Sequence, residues 1–149
     1  MIDLAIADDH FTFRFGISHY FNKQSLKNIK VVLEASNGID LLNQLNSSAI
    51  LPNVLLLDVQ MPVLNGKEAA EIILQKYPSL NIIFLSVFME ESLIKDFIGR
   101  GVKGFLTKNI ELSILEEAII AVNNNNLFID THFSSFRETA SQKISCYKR

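Results

Sequence analysis

Five short apolar runs punctuate the chain, at about 3–7, 30–36, 53–58, 81–87 and 103–106. Amphipathic stretches near 12–24, 38–47, 65–76, 90–99 and 110–122 alternate with them. The first and third runs stay apolar up to their terminal acids, without the alternation of a half-exposed strand, which is the pattern of strands buried on both faces. In the last amphipathic stretch Ile110, Ile114, Ala118, Ala121 and Val122 recur at helical spacing. Pro78 separates the third helix from the fourth strand, and Gly99 and Gly101 stop the fourth helix. Five β/α units in succession predict an α/β fold: a doubly wound, five-stranded parallel sheet with right-handed crossovers and helices on both faces.

Such sheets bind ligands outside the carboxyl ends of their strands, at the point where strand order reverses. That places particular polar residues together. Asp8 and Asp9 close the first strand, Asp58 the third and Ser86 the fourth, and Lys108 follows the fifth. Three clustered acids repel one another unless a cation neutralises them, and Mg²⁺ takes hard oxygen ligands. A metal site is therefore the reading of Asp8, Asp9 and Asp58 together, although Asp8-Asp9 alone would serve equally well to cap the first helix. With Mg²⁺ in place, a carboxylate can attack phosphorus and form an aspartyl phosphate. Lys108 would then offer a positive charge to a phosphoryl oxygen and Ser86 a hydroxyl. Taken singly, each is also an ordinary surface lysine or a serine on the approach to a helix.

The 149 residues fit one domain, and 48% hydrophobic against 20% charged residues is enough for a real core. The formal net charge of −2 argues against nucleic-acid binding by the whole chain through electrostatics. Residues 134–149 carry Arg137, Lys143, Lys148 and Arg149 against Glu138, so the body of the chain, residues 1–133, carries −5. The lone Cys146 excludes an intrachain disulfide, and no apolar run approaches the roughly 18–20 residues that span a membrane. The start Met1-Ile2-Asp3 lacks the basic region of a signal peptide. These features together predict a cytoplasmic protein that does not engage membranes. After Asn123-Asn124-Asn125-Asn126 come a brief apolar patch, Leu127-Phe128-Ile129, expected to pack back on the domain, and a polar tail without periodicity.

Some features point away from other chemistry. Gly99-Arg100-Gly101-Val102-Lys103-Gly104 matches a dinucleotide fingerprint, but it follows a helix and opens a strand, the reverse of what that motif requires. His10, His19 and His132 have no metal spacing with one another or with Cys146; beside Asp9, His10 is positioned to touch a partner or shape the site, but packing on the first helix is the expectation. Phe11, Phe13, Phe15, Tyr20 and Phe21 lack interleaved basic residues apart from Arg14, so they read as helix packing and not as a base-stacking platform.

The set Asp8-Asp9, Asp58, Ser86, Phe105 and Lys108 resembles the receiver domain of bacterial two-component response regulators. Asp58-Val59-Gln60-Met61-Pro62 with Gly66 is similar to that family's D-x-x-M-P-x-x-x-G phosphoacceptor segment. Ala7-Asp8-Asp9-His10 and Gly104-Phe105-Leu106-Thr107-Lys108 most resemble receivers of the NarL/LuxR type. The resemblance covers residues 1–122 and implies a flavodoxin-like, CheY-like (βα)5 receiver domain, with 123–149 an extension or linker leading to an absent DNA-binding output domain. It implies that Asp58 accepts a phosphoryl group from a sensor histidine kinase or phosphotransfer protein. Asp9 would bind Mg²⁺ directly, helped by Asp8, Asp58 and the backbone carbonyl of Gln60. Lys108 and Ser86 would contact the phosphoryl oxygens, and Ser86 and Phe105 would move inward as the switch. Beyond Mg²⁺-dependent self-phosphorylation and autodephosphorylation no enzymatic activity is implied. The output is expected to be transcription regulation, with a homodimer on phosphorylation and DNA contacted only through the output domain.

Two alternatives stand beside this reading. A haloacid-dehalogenase-like phosphatase also uses an aspartate nucleophile, but it needs a second acid where Gln60 stands. A stand-alone or degenerate receiver would be a protein-binding module. One departure concerns the backbone: many receivers carry proline after the lysine, often cis, where this chain has Asn109. A cis bond there would cost about 2.5–4 kcal/mol, so a trans bond or a shifted loop is expected.

Overall fold

The computed structural model describes residues 1–23, 28–133 and 146–147. Its core is five β/α units: β1 (Ile2–Ala7), α1 (Phe11–Lys23), β2 (Ile29–Ala35), α2 (Gly38–Ser47), β3 (Val54–Asp58), α3 (Gly66–Lys76), β4 (Asn81–Ser86), α4 (Glu91–Arg100), β5 (Gly104–Thr107) and α5 (Leu112–Asn123). All strands pair in parallel, in the order β2-β1-β3-β4-β5. The order reverses between β1 and β3, so the carboxyl ends of those two strands flank the crevice where such sheets bind ligands.

The sheet then continues past the predicted five strands. Leu127–Ile129 is a sixth strand, β6, parallel to β5 with Gly104 opposite Phe128 and Phe105 opposite Ile129. A two-residue pairing at Cys146–Tyr147, β7, lies on its far side. A turn of 3₁₀ helix, Thr131–Phe133, follows β6 after Asp130. The apolar patch at 127–129 thus does pack back on the domain, as expected, but as a strand of the sheet. The polar tail and its basic residues lie outside the described residues, apart from the backbone of Cys146–Tyr147.

Alternation along the strands sorts the core into two layers. Ala5, Leu55, Leu57, Ile82 and Phe84 face α2, α3 and α4, whereas Leu4, Ile6, Val54, Leu56, Ile83 and Leu85 face α1 and α5. The edge strand β2 alternates buried and exposed positions, unlike β1 and β3. Each fully buried leucine or phenylalanine contributes about 1.5–3 kcal/mol by leaving water. Helix starts are set by local chemistry. Asn37 caps α2 by accepting from Asp40 N–H, and Asn65 with Glu68 forms a reciprocal capping box on α3. The Asn37-Gly38 pair therefore links strand to helix as expected. Gly101, at φ 113°, ends α4 in the left-handed region that glycine tolerates. No helix among the described residues is long and apolar enough to cross a membrane.

One glycine is fixed by close approach to the site. A Cβ on Gly66 would lie 2.1 Å from the Asp58 carbonyl oxygen and 2.8 Å from Val59 Cα. The loop from Asp58 to α3 can only close this tightly around a residue without a side chain. Gly66→Ala is expected to lower stability by about 1–3 kcal/mol, the cost of forcing atoms into a packed site. Chemical denaturation checks this, and an unchanged midpoint would contradict the packing argument.

Candidate functional site

The fold brings Asp8, Asp9, Asp58 and Lys108 to one end of the sheet. Asp8 comes directly after β1, and its backbone N–H donates to the Ala35 carbonyl at 3.0 Å. Asp58 ends β3 opposite Leu85 of β4, and Lys108 N–H donates to the Ser86 carbonyl at 3.0 Å. Asp8 and Asp58 are buried, at 0% and 2% exposure, while Asp9 is exposed. Lys108 reaches back between the two buried acids, its Nζ 2.8 Å from Asp8 Oδ2 and 3.0 Å from Asp58 Oδ2. The Lys108 ammonium also lies over the ring of Phe13, 5.2 Å from its centroid.

Charge governs this arrangement. Burial pushes the Asp58 carboxyl up from 3.8 to about 6. The charge of Asp8 adds to that rise, while hydrogen bonds from Lys108 and from Gln60 N–H, together with the lysine's charge, restrain it. Lys108 stays above its ordinary value of 10.5: burial pulls it down, but its contacts with Asp8 and Asp58 outweigh that. The lysine is therefore held charged where most lysines would be exposed.

Ser86 and Phe105 lie nearby in the sheet, each with a defined partner. Ser86, 3% exposed, donates from Oγ to the Phe88 carbonyl at 2.8 Å, and Phe88 N–H donates back at 3.3 Å. Its hydroxyl is thus engaged by the loop after β4. Phe105 is fully buried, edge-on to Phe84, which is edge-on to Phe97 of α4. No peptide bond among the described residues is cis, so Lys108–Asn109 is trans as expected. Gln60 lines an open groove beside the acids with Asp9, His10, Met61, Lys67, Phe88 and Glu90.

Two further residues stand at this end of the sheet. His10 is no packing residue of α1. Its side chain is 66% exposed and its Nδ1 stands 3.1 Å from Asp8 Oδ1 and 3.3 Å from Asp9 Oδ1. Its place directly after Asp9 allows it to shape the site, but sequence does not say which way the ring turns. Asp130, buried directly after β6, accepts from Thr107 N–H at 3.2 Å and from Thr107 Oγ1 at 3.0 Å. It repeats the pattern of an acid closing an apolar run, but a three-residue run shows too little periodicity to reveal the strand.

A doubly wound parallel sheet with acids and a lysine converging at its switch point is the architecture of a receiver-type signalling module. Residues 4–120 match the family model of the response regulator receiver domain, and the chain belongs to that family. Its relatives are response regulators of the NarL/LuxR type. It is 30% identical over 131 residues to the transcriptional regulatory protein DegU of Brevibacillus brevis, covering 86% of this chain and 52% of that one. It is 33% identical over 129 residues to the response regulator UvrY of Escherichia coli, covering 87% and 57%. The chain thus spans little more than half the length of these curated relatives. Among solved structures, the RcsB response regulator of Salmonella typhimurium superposes with a TM-score of 0.81 at 25% identity, covering 93% of this chain and 70% of RcsB. The NarL signal receiver domain of Mycobacterium tuberculosis gives 0.73 at 25%, covering 84% and 98%.

The raised Asp58 carboxyl sets a sign for stability against pH. Asp58 binds its proton more tightly in the folded chain than in the unfolded one. Its favourable contribution is complete below about pH 4 and is lost as pH rises through about 6. Asp58→Asn cannot ionise and escapes that loss. The melting temperature of Asp58→Asn relative to the parent should therefore increase between pH 4.5 and 7.5, and a flat or reversed difference would contradict the burial argument.

Proposed function

We propose that Asp58 accepts a phosphoryl group and that the domain is a switch controlled by that modification. The observation that carries this reading is Lys108 wedged between two buried carboxylates. Such a site holds a nucleophile and the positive charge its product needs. In the transfer, an Asp58 carboxylate oxygen bonds to phosphorus as the P–N bond of a donor phosphohistidine breaks, and the electron pair returns to the imidazole nitrogen. The donor is a sensor histidine kinase or a phosphotransfer protein. Asp58 is ionised at neutral pH despite its raised pKa of about 6, so it can attack without a separate general base.

The donor set fits Mg²⁺. One ligand atom from each of Asp8, Asp9, His10 and Asp58 lies within 4.8 Å of the others, and the three acids offer hard oxygens that otherwise repel. Asp8, Asp9, Asp58 and the Gln60 carbonyl would hold the ion. When bound, it supplies positive charge to the carboxylates and to the phosphoryl oxygens. Lys108 would exchange Asp8 for a phosphoryl oxygen. Ser86 would exchange the Phe88 carbonyl for another, loosening the loop that leads to α4. Phe105 already lies inside, so the remaining travel of the switch falls on Ser86 and its loop. Such a change is a two-state element biased by a new charge.

The output we assign is transcription control. The matched relatives include proteins named as transcriptional regulators, and RcsB has been solved as dimers bound to DNA. Residues 1–122 would be the receiver and 123–149 the connection to a DNA-binding segment, with pairing of receivers on phosphorylation.

Intact mass after incubation with Mg²⁺ and acetyl phosphate tests the core of this reading. One phosphoryl group should be gained, and none in Asp58→Asn or without Mg²⁺. No gain by the folded parent would overturn it. Phe88, 70% exposed beside Gln60 in the groove, is placed to shield the phosphorylated site from water. Phe88→Ala should shorten the lifetime of the phosphorylated form several-fold, and an unchanged decay would count against shielding.

A further inference from the structure

The imidazole of His10 faces a contradiction in its contacts. Nδ1 lies 3.1 and 3.3 Å from carboxylate oxygens of Asp8 and Asp9, and 3.2 Å from the Lys108 ammonium. Toward the carboxylates it must donate a proton, and toward the ammonium it must offer a lone pair. A neutral ring nitrogen does one or the other. Full protonation would satisfy the acids but set an imidazolium against an ammonium. A metal cation held by the lone pair and the carboxylate oxygens, with Lys108 released from Asp8 as proposed above, removes the conflict, because all of these donors then point inward.

The geometry already surrounds a positive centre. Lys108 Nζ stands among Asp8 Oδ2 at 2.8 Å, Asp58 Oδ2 at 3.0 Å and His10 Nδ1 at 3.2 Å. Metal–ligand bonds of about 2.0–2.2 Å put opposite ligands slightly more than 4 Å apart. The four candidate donor atoms, all within 4.8 Å of one another, need only a small contraction. The backbone holds the ring in place from both sides. His10 N–H donates to Asp8 Oδ1 at 2.8 Å, and the His10 carbonyl accepts from Arg14 N–H at 3.1 Å in the first turn of α1.

We infer that His10 is a further protein ligand of this site and gives it a preference for first-row transition ions over Mg²⁺. The inference rests on the cation site proposed above. Imidazole nitrogen adds affinity for transition ions, whereas Mg²⁺ gains little from exchanging a water oxygen for it. The site would then accept both classes of ion, with His10 setting the ratio between them.

Mn²⁺ alone serves as the probe, with pulsed electron paramagnetic resonance reading nitrogen ligation directly. The parent protein loaded with Mn²⁺ should show ¹⁴N coupling from a bound imidazole, and His10→Gln should lose it while its circular dichroism stays that of the parent. Titrations should show Mn²⁺ affinity falling about 10-fold or more in His10→Gln, the scale on which ligand-shell changes act, with Mg²⁺ affinity changing far less. Mn²⁺ binding without ¹⁴N coupling, or coupling that survives in His10→Gln, would overturn the role of His10 and leave the carboxylate site standing. Failure of the parent to bind either ion would overturn both.

Discussion

An ammonium held between two buried carboxylates is the constraint on which this molecule's site depends. Asp8 and Asp58 sit at adjacent strand ends, out of water, where two negative charges raise each other's energy. Burial above all, with the charge of Asp8 adding to it, leaves the Asp58 carboxyl raised to about 6 despite the contact with Lys108. Removing one partner from such a set is costly, because the remaining buried charge has nothing to replace it. The arrangement is thus closed enough to fold and unsatisfied enough to welcome further positive charge.

The sheet makes this possible by its order of strands. Because β1 and β3 are neighbours, a residue at position 8 and one at position 58 meet, and because β5 lies one strand beyond β4, the side chain at 108 can reach both. The carboxyl end of β5 is also tied to the segment beyond α5. Asp130 accepts both the backbone N–H and the hydroxyl of Thr107, the residue before Lys108. The chain after α5 is consequently joined through hydrogen bonds to the strand that aims the lysine.

Much of this was legible in the sequence, for a definite reason. Uninterrupted apolar runs that end in polar residues mark parallel strands and set those residues at one edge of the sheet, so the sequence alone groups Asp8, Asp9, Asp58, Ser86 and Lys108. The features that stayed hidden depend on tertiary detail. Leu127–Ile129 is too short for its period to show, and it becomes a strand only because the edge of β5 is available to pair. His10 turns toward the acids because the Asp8 side chain holds its backbone, a matter of local hydrogen bonding that composition does not encode. The apolar run ending at Ser86 marks the end of β4, but its bond to Phe88 belongs to the loop geometry.

The most direct test of the buried charge cluster is a ¹³C nuclear magnetic resonance titration of the Asp58 carboxyl, without divalent cations and then with Mg²⁺ present. An inflection at about pH 6 is expected in the free protein, moving to lower pH when Mg²⁺ is added. An inflection near the ordinary aspartate value of about 4, indifferent to Mg²⁺, would contradict it.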